Sequence, residues 1–328
     1  MISVALCTFN GEKYLEEQLM SILNQSKMVH ELVVYDDGST DNTPIILENF
    51  KSKAPFPVYL NFNKKNLGVI RNFELCLKAC SGEYIFLCDQ DDYWESSKVA
   101  VQLAYLQKNP DKMAVFSNAH LMDDSSNLIG ETSFERIQFG PGTQELFKKK
   151  SGAFELLLNG YLVTGAALLI RKSIINRILP FPEIIPELIH DAWIGFYLSM
   201  FDELGFITDP LIKYRTHTNQ QVGLVGKERK ITIKDRFIRG RQARLERIEK
   251  KMIHAQRLSH TISQLENIPS DIIRRLEKRY KFYEFRLRLP KLRVLRFFPI
   301  LIQFLNGHYK ENENGKYYRT ALSDLVES

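Results

Sequence analysis

The run Tyr84-Ile85-Phe86-Leu87-Cys88, followed at once by Asp89-Gln90-Asp91-Asp92, constrains this chain more than any other stretch. A short apolar run without polar alternation suits a strand buried on both faces of a sheet. The acids then fall just past its carboxyl end, where open α/β sheets bind ligands. Three carboxylates within four residues repel one another, so they must be solvated or share a cation. A wet acidic loop after a strand is the plainer alternative.

The preceding sequence repeats the strand-then-polar-turn pattern. Ile2 to Cys7 reads as a strand ending in Thr8-Phe9-Asn10-Gly11, with a helix from about Glu12 to Asn24. Glu31 to Tyr35 is a second strand, ending in Asp36-Asp37-Gly38-Ser39-Thr40-Asp41 before a helix over Thr43 to Lys51. Val58 to Phe62 is a third, and Asn66-Leu67-Gly68 leads into a helix from Val69 to Cys80. Strands alternating with helices predict an α/β fold with a mostly parallel central sheet flanked by helices. Further on, Val99 to Gln107 is predicted helical, and Met113 to Ser117 and Val163 to Ile170 are predicted strands. Asp123 to Lys150 reads as a long loop, His190 opens a helix through Met200, and Phe206–Thr208 and Ile212–Arg215 read as late strands.

Beyond Gly226 the character changes. Residues 227–328 carry 25 Lys and Arg against 12 Asp and Glu, a net of +13, within a chain whose total is +6. The remaining 226 residues are therefore mildly acidic, and the split predicts two units, 1–226 and 227–328. The second reads as a basic all-helical extension, with helices over about Asp235–Leu265 and Ser270–Arg288. Three readings stay open for it: a solvated helical hairpin, a homo-oligomerisation arm, or a patch that contacts anionic membrane. It has no nucleic-acid motif, so no nucleic acid partner is expected. Met1 to Leu6 lacks the basic start of a signal peptide, no window nears the length of a spanning helix, and four cysteines make no disulfide scaffold. These features predict a cytoplasmic protein, either free or peripheral at the inner membrane surface.

In a parallel sheet the turns after the first, second and fourth strands converge on one edge. Such an edge suits a nucleoside diphosphate: its base stacked on Phe9, an Asp accepting from an imide N–H, Arg71 meeting phosphate oxygens, and a divalent cation bridging carboxylate and diphosphate. A phosphate-binding P-loop and the G-x-G-x-x-G of dinucleotide enzymes are both absent.

Thr8-Phe9-Asn10-Gly11, Asp36-Asp37-Gly38-Ser39-Thr40-Asp41, Asn66-Leu67-Gly68 with Arg71-Asn72, and Asp89-Gln90-Asp91-Asp92, in this order and spacing, resemble a family 2 glycosyltransferase of GT-A fold. His190-Asp191-Ala192-Trp193 and Tyr214-Arg215-Thr216-His217 extend the resemblance over roughly residues 1–223. The stretch from Cys88 to Trp94 and the His-Asp-x-Trp look most like bacterial enzymes that build rhamnose-containing surface polysaccharides. The resemblance implies an inverting, metal-dependent transfer from a UDP- or dTDP-linked sugar to a hydroxyl of a surface glycan, a lipid-linked precursor or a glycoprotein glycan. It implies that Thr8, Phe9, Asn10, Asp37, Asn66 and Asp89 line the nucleotide, with Asp36 the less favoured partner, and that Arg71 lies near the diphosphate. Asp89, Asp91 and His217 would hold Mn2+ or Mg2+, although Thr216 stands where Gln is commoner. Asp191 would be the general base, with Asp92, Gly165 and Trp193 toward the acceptor.

Each assignment has a structural alternative. Asp191 suits a helix N-terminus, Trp193 a core, His217 a satisfied buried site and Gly165 close packing. A nucleotidyltransferase and a non-catalytic nucleotide- or carbohydrate-binding scaffold are the competing functions. The first lacks the basic loop it would want near its first strand.

Overall fold

The computed structural model describes residues 1–160, 163–185, 188–216, 241–313 and 317–326. Its first strand, β1 (Ile2–Thr8), is buried along its whole length, as an apolar run predicts. The chain continues through α1 (Leu15–Leu23), β2 (Glu31–Asp36), α2 (Thr43–Lys51), β3 (Val58–Phe62), α3 (Val69–Ala79), β4 (Tyr84–Cys88), β5 (Tyr93–Trp94) and α4 (Lys98–Lys108). β6 (Ala114–Met122) and β7 (Leu128–Thr132) precede helices α5 (Ser133–Arg136), α6 (Pro141–Phe147) and α7 (Gly152–Asn159). A 3-10 turn, Gly165–Ala167, leads into β8 (Leu168–Arg171), followed by α8 (Ile175–Ile178), α9 (His190–Ser199) and β9 (Leu204–Arg215).

The sheet runs in the order β3-β2-β1-β4-β8-β6-β9-β5, with β7 beside β6. Its first four strands are parallel, and the register sets the site. Thr8 lies opposite Asp36, and Leu6 opposite both Val34 and Cys88. Three strands thus end within two residues of one another, and their following turns emerge on one rim. β8 then runs antiparallel to both β4 and β6, which makes the second half of the sheet mixed. β5 pairs with the far end of β9, so residues 89–92 cross from the middle of the sheet to its edge.

The structure corrects several local expectations. The segment from Asp123 to Lys150 is not a loop: it holds β7, α5 and α6. A capping box, Thr132 with Glu135, starts α5, and this T-x-x-E spacing was visible in the sequence. The strand expected from Val163 begins only at Leu168. The two late strands are one, β9, whose register against β6 shifts near Pro210, a residue unable to donate to the ladder. There the Asn118 side chain donates to the Thr208 carbonyl (3.2 Å) and accepts from the Phe134 amide (3.0 Å).

Two compact units divide the chain: residues 1–157, 161–181 and 187–226, and residues 158–160, 182–186 and 227–328. The described part of the second contains α10 (Arg241–Ser263), α11 (Ser270–Leu287), a 3-10 turn (Arg293–Arg296), α12 (Phe297–Leu305), α13 (His308–Asn312) and α14 (Tyr317–Val326). The start of the long helix expected from Asp235 lies outside the described residues. Ile248, Ala255, Phe282, Tyr283, Ile300 and Tyr309 form its core. Within that core Asp324 is fully buried and accepts from Arg286 Nε (2.7 Å), Arg244 Nη2 (3.3 Å) and Tyr309 Oη (2.8 Å). No helix among the described residues is long and apolar enough to cross a membrane.

At the opposite rim from the polar turns, Glu31 ties β2 to its neighbours. Its buried carboxylate accepts from the Ser3 hydroxyl, the Ser81 amide (2.6 Å) and the Ser81 hydroxyl (2.7 Å). Burial alone would raise this carboxyl, but the Ser3 and Ser81 hydrogen bonds hold it below the usual range. A depressed folded value stabilises above the unfolded pKa and is lost as pH falls through the folded one. Glu31→Gln should therefore cost on the order of 1–3 kcal/mol at neutral pH. In thermal melts across pH, the gap to the parent protein should narrow below about pH 4.

Candidate active site

The turn after β1 and the turn after β2 are built around two adjacent carboxylates with different duties. Asp36 is buried and accepts from Thr8 Oγ1 (2.8 Å), the amides of Gly38 (3.2 Å) and Ser39 (2.8 Å), and Ser39 Oγ (2.5 Å). Those four bonds match the acceptor capacity of a carboxylate, so Asp36 serves to fix its own turn. Asp37 is also buried, but it reaches outward. It accepts from Asn63 Nδ2 and from the Leu67 and Gly68 amides, each at 2.8 Å. One lone pair of Asp37 is not engaged by these bonds. Gly68 stands at φ +83° and its amide also meets Asn66 Oδ1 (3.0 Å), which closes the turn into α3.

Phe9 keeps its ring exposed, at 38%. Its backbone is gripped by Gln90 of the acidic loop: the Phe9 amide donates to Oε1 (2.8 Å) and Nε2 donates to the Phe9 carbonyl (3.0 Å). A Cβ on Gly11 would stand 2.2 Å from that Oε1, so glycine leaves room for the clamp. Asn10, at φ +48°, donates its amide to Ser39 Oγ (2.8 Å) and accepts from the Thr40 amide (2.9 Å). Gln90 thus joins the first and fourth turns, a role the sequence reading missed. Arg71, on the first turn of α3, is exposed and pairs with Glu74 (2.7 Å), whose buried carboxylate also meets Lys78 (2.7 Å). Burial would raise Glu74, but Lys78 and Arg71 together hold it below the usual carboxylate range.

The acidic loop is where electrostatics are most strained. Burial, then the nearby charges of Asp91 and Asp191, push Asp89 up to about 8, against a hydrogen bond from the Ala166 amide. Asp92 is buried, with Oδ1 accepting from the Arg215 amide (2.9 Å) and Oδ2 without a hydrogen-bond partner. Burial and the charges of Asp91 and Asp89 drive it well above the usual range. Beneath the loop, the fully buried Lys98 donates to Gln102 Oε1 (2.7 Å) and lies over the rings of Trp94 (4.9 Å) and Phe86 (5.5 Å). Burial pulls its amine down to about 7.

Arg215, at the end of β9, fastens the loop. It is fully buried, its Nε donates to the Asp91 carbonyl (2.7 Å), Nη1 to Ser126 Oγ (2.9 Å) and the Asp123 carbonyl (3.3 Å), and Nη2 to Glu17 Oε2 (2.6 Å). Its guanidinium also lies 4.2 Å from the centre of the Tyr14 ring. One side chain therefore links α1, the acidic loop and the β6–β7 hairpin. Sequence reasoning quoted Arg215 only as part of a motif, because a lone arginine after a strand gives no sign of what it will reach.

Asp191 lies on the first turn of α9, whose N-cap is Ile189 without a side-chain bond. Its Oδ2 accepts from the Gly165 amide (2.7 Å) and its Oδ1 from the Ala192 amide (2.7 Å). The Gly165 amide at the start of the turn Gly165–Ala167 thus holds Asp191 close enough for its charge to raise Asp89. That turn brings together groups about a hundred residues apart. A Cβ on Gly165 would come within 2.9 Å of His190 Nε2 and 3.3 Å of Asp191 Oδ2, so this glycine is required by the approach of α9. His190 is buried flat on Phe73 (3.8 Å between centroids), and burial lowers its pKa.

Trp193 does not face an acceptor. It is buried, and its ring N–H is satisfied by the Ile178 carbonyl (3.0 Å), so it is a core residue. Asp92 likewise sits inside the loop, held by Arg215, rather than on an acceptor-facing surface. His217 lies outside the described residues. The four cysteines are free and buried. Among the described residues no three His, Cys, Asp or Glu side chains form a ready metal cage. Asp89 and Asp91 are two mutually repelling carboxylates at a half-buried rim, a donor set that fits a divalent ion completing its shell with water and substrate oxygens.

The family model described as "Glycosyl transferase family 2" matches residues 3–179. The dTDP-rhamnosyl transferase RfbG of Shigella flexneri is 31% identical over 242 residues, covering 66% of this chain and 73% of RfbG. Three mycobacterial relatives are 33% identical, and the chain spans 59% of their length. Among solved structures, Staphylococcus aureus TarS 1–349 superposes with a TM-score of 0.52 at 16% identity, covering 99% of this chain and 88% of that one. The mannosyltransferase PcManGT of Pyrobaculum calidifontis, solved with GDP-Man and Mn2+, gives 0.50 at 16% identity, covering 99% and 84%. These two likenesses show the fold.

Replacing Arg215 by Met should destabilise the protein by roughly 3–5 kcal/mol, since it strips a buried, multiply bonded cation from its partners. Glu17→Gln, at a side chain 38% exposed, should cost less than about 1 kcal/mol. Denaturant titration of both variants separates the two.

Proposed function

Since the chain belongs to glycosyl transferase family 2 and is a glycosyltransferase, we propose that it moves a sugar from a UDP- or dTDP-linked donor to an acceptor hydroxyl by a single inverting displacement. The observation that carries this reading is the proximity of Asp89 and Asp191: the Gly165 amide holds Asp191 where its charge raises Asp89. It supports a diphosphate on the acidic-loop side and a base facing it across the sugar.

In this reading the Phe9 ring stacks on the base, Thr8 and Asn10 line it, and Asp37 accepts an imide proton. Asp36, with its acceptor capacity occupied, holds the turn instead. Asn66 shapes the start of α3, and Arg71 swings from Glu74 toward the diphosphate. Asp91 and Asp89 are the residues that hold a divalent cation, Mn2+ or Mg2+, with His217 a further candidate. When bound, such an ion neutralises charge on the departing diphosphate. Asp191 takes the proton of the acceptor hydroxyl. That oxygen forms its bond to the anomeric carbon while the carbon–oxygen bond to the diphosphate breaks, and the electron pair leaves with the diphosphate. Preorganisation of Asp191 by the Gly165 and Ala192 amides holds it for this step. The likeness to RfbG supports a dTDP-linked deoxyhexose as donor; the acceptor in this reading is a bacterial surface glycan or its lipid-linked precursor.

Asp191→Asn should lower turnover by a factor on the order of 10²–10⁴ while nucleotide affinity is retained. Free UDP or dTDP release and calorimetric binding read the two quantities. Loss of donor binding in that variant would return Asp191 to a structural role. Asp91→Ala should abolish the extra thermal shift that Mn2+ adds to UDP or dTDP. A full shift in this variant, or full activity in EDTA, would sink the metal assignment.

A further inference from the structure

The C-terminal unit displays an apolar face that its own core does not use. In α12, Phe297, Phe298, Leu301, Ile302 and Leu305 are all exposed, Phe298 at 70% and Leu305 at 74%. At helical spacing these five positions fall within an arc of about 140°. Ile300, outside that arc, is buried in the core, and Phe304, beside its edge, packs partly buried against it. The 3-10 turn before α12 continues the surface: Leu292, Val294 and Leu295 are exposed, Val294 at 85%. Tyr318 of α14 is exposed too, with its ring 5.4 Å from Phe304. So many exposed aliphatic and aromatic side chains in one place mark an interaction surface.

The charges around it choose the partner. Arg288, Lys291, Arg293 and Lys310 are exposed; Arg288 is paired with Glu284 (2.7 Å), and from Lys291 to Lys310 the sequence holds no Asp or Glu. A second copy docked on this face would set like cations against one another with no acid in that segment to pair them. An anionic lipid surface would meet the cations with phosphate and receive the aromatic and aliphatic side chains among its acyl chains. α12 has nine residues, about 13 Å, far short of the bilayer core, so it suits lying in the interface and not crossing it. Arg296 is not part of this basic rim: it is buried, bonding the carbonyls of Pro290 (2.6 Å) and Lys291 (2.9 Å), which fixes the turn that displays the face.

We propose that the face formed by residues 291–305 is a peripheral anchor for anionic membrane, with Phe297, Phe298, Ile302 and Leu305 inserting and Lys291 and Arg293 contacting headgroup phosphates. It acts without reference to the transfer chemistry. The test is flotation of the full chain with vesicles of phosphatidylcholine alone or with phosphatidylglycerol added. Binding is expected only with phosphatidylglycerol and is weakened by salt. Lys291→Gln with Arg293→Gln should weaken it by roughly thirtyfold, from about 1 kcal/mol per charge. Phe297→Ser with Phe298→Ser should reduce it at least as much, since each buried Phe contributes about 1.5–3 kcal/mol. These side chains are exposed, so both double variants should keep the parent's melting temperature. Absence of binding to phosphatidylglycerol vesicles, equal binding to phosphatidylcholine, or a lipid-free dimer that the Phe variant dissociates would each overturn the proposal.

Discussion

The constraint on which the site depends is the convergence of like charges. Asp89, Asp91, Asp92 and Asp191 come close enough to disturb one another, in a region where burial already disfavours the ionised form. Such an arrangement persists only if the surrounding fold holds it. Arg215 bonds the loop from below through the Asp91 carbonyl and the Asp92 carboxylate. The Gly165 amide holds Asp191 beside it. The result is a preorganised set of acceptors whose mutual repulsion a bound cation would relieve.

The nucleotide-side turns obey the same logic at lower cost. Parallel pairing brings three strand ends within two residues of one another, and Asp36, Asp37 and Gln90 then lock the turns to one another through backbone amides and carbonyls. Several residues that look like ligand contacts in the sequence are first of all struts. Asp36 is the clearest case, because its hydrogen-bonding capacity is occupied before any ligand arrives. Trp193 is another, since its indole closes the core behind Asp191. The C-terminal unit shows the corresponding point for charge. Its basic composition reads as a solvated surface, yet Arg244, Arg279, Arg286 and Arg296 are buried and bonded to Asp324, to backbone carbonyls or to Asn159. Exposed cations stand along α10 and α11, among them Lys250, Arg257, Arg274 and Lys278, and Lys291 and Arg293 border the apolar face of α12.

Much of this was legible along the chain. Largely apolar runs of four to six residues announced β1, β2 and β4, because a strand covered on both faces needs no polar alternation. The polar turns after them were equally plain, and their order carried the family resemblance that the family model bears out. The failures were also physical. A stretch rich in Gly, Pro and charge, Asp123 to Lys150, was read as a loop because short helices and an edge strand leave weak periodicity. The capping box at Thr132 was the one signal there strong enough to find.

The sequence by itself determined which groups are available: three carboxylates after a buried strand, an exposed phenylalanine, an acid opening an apolar helix, a basic tail. These are local properties, set by side-chain chemistry and short-range pattern. Only the tertiary structure decided which of them act together. Gly165 reaches Asp191, Gln90 reaches Phe9, and Arg215 reaches Glu17 across 26, 81 and 198 residues of chain. Contacts that distant depend on how the sheet is ordered and where its strands end, and no window of the sequence contains that information.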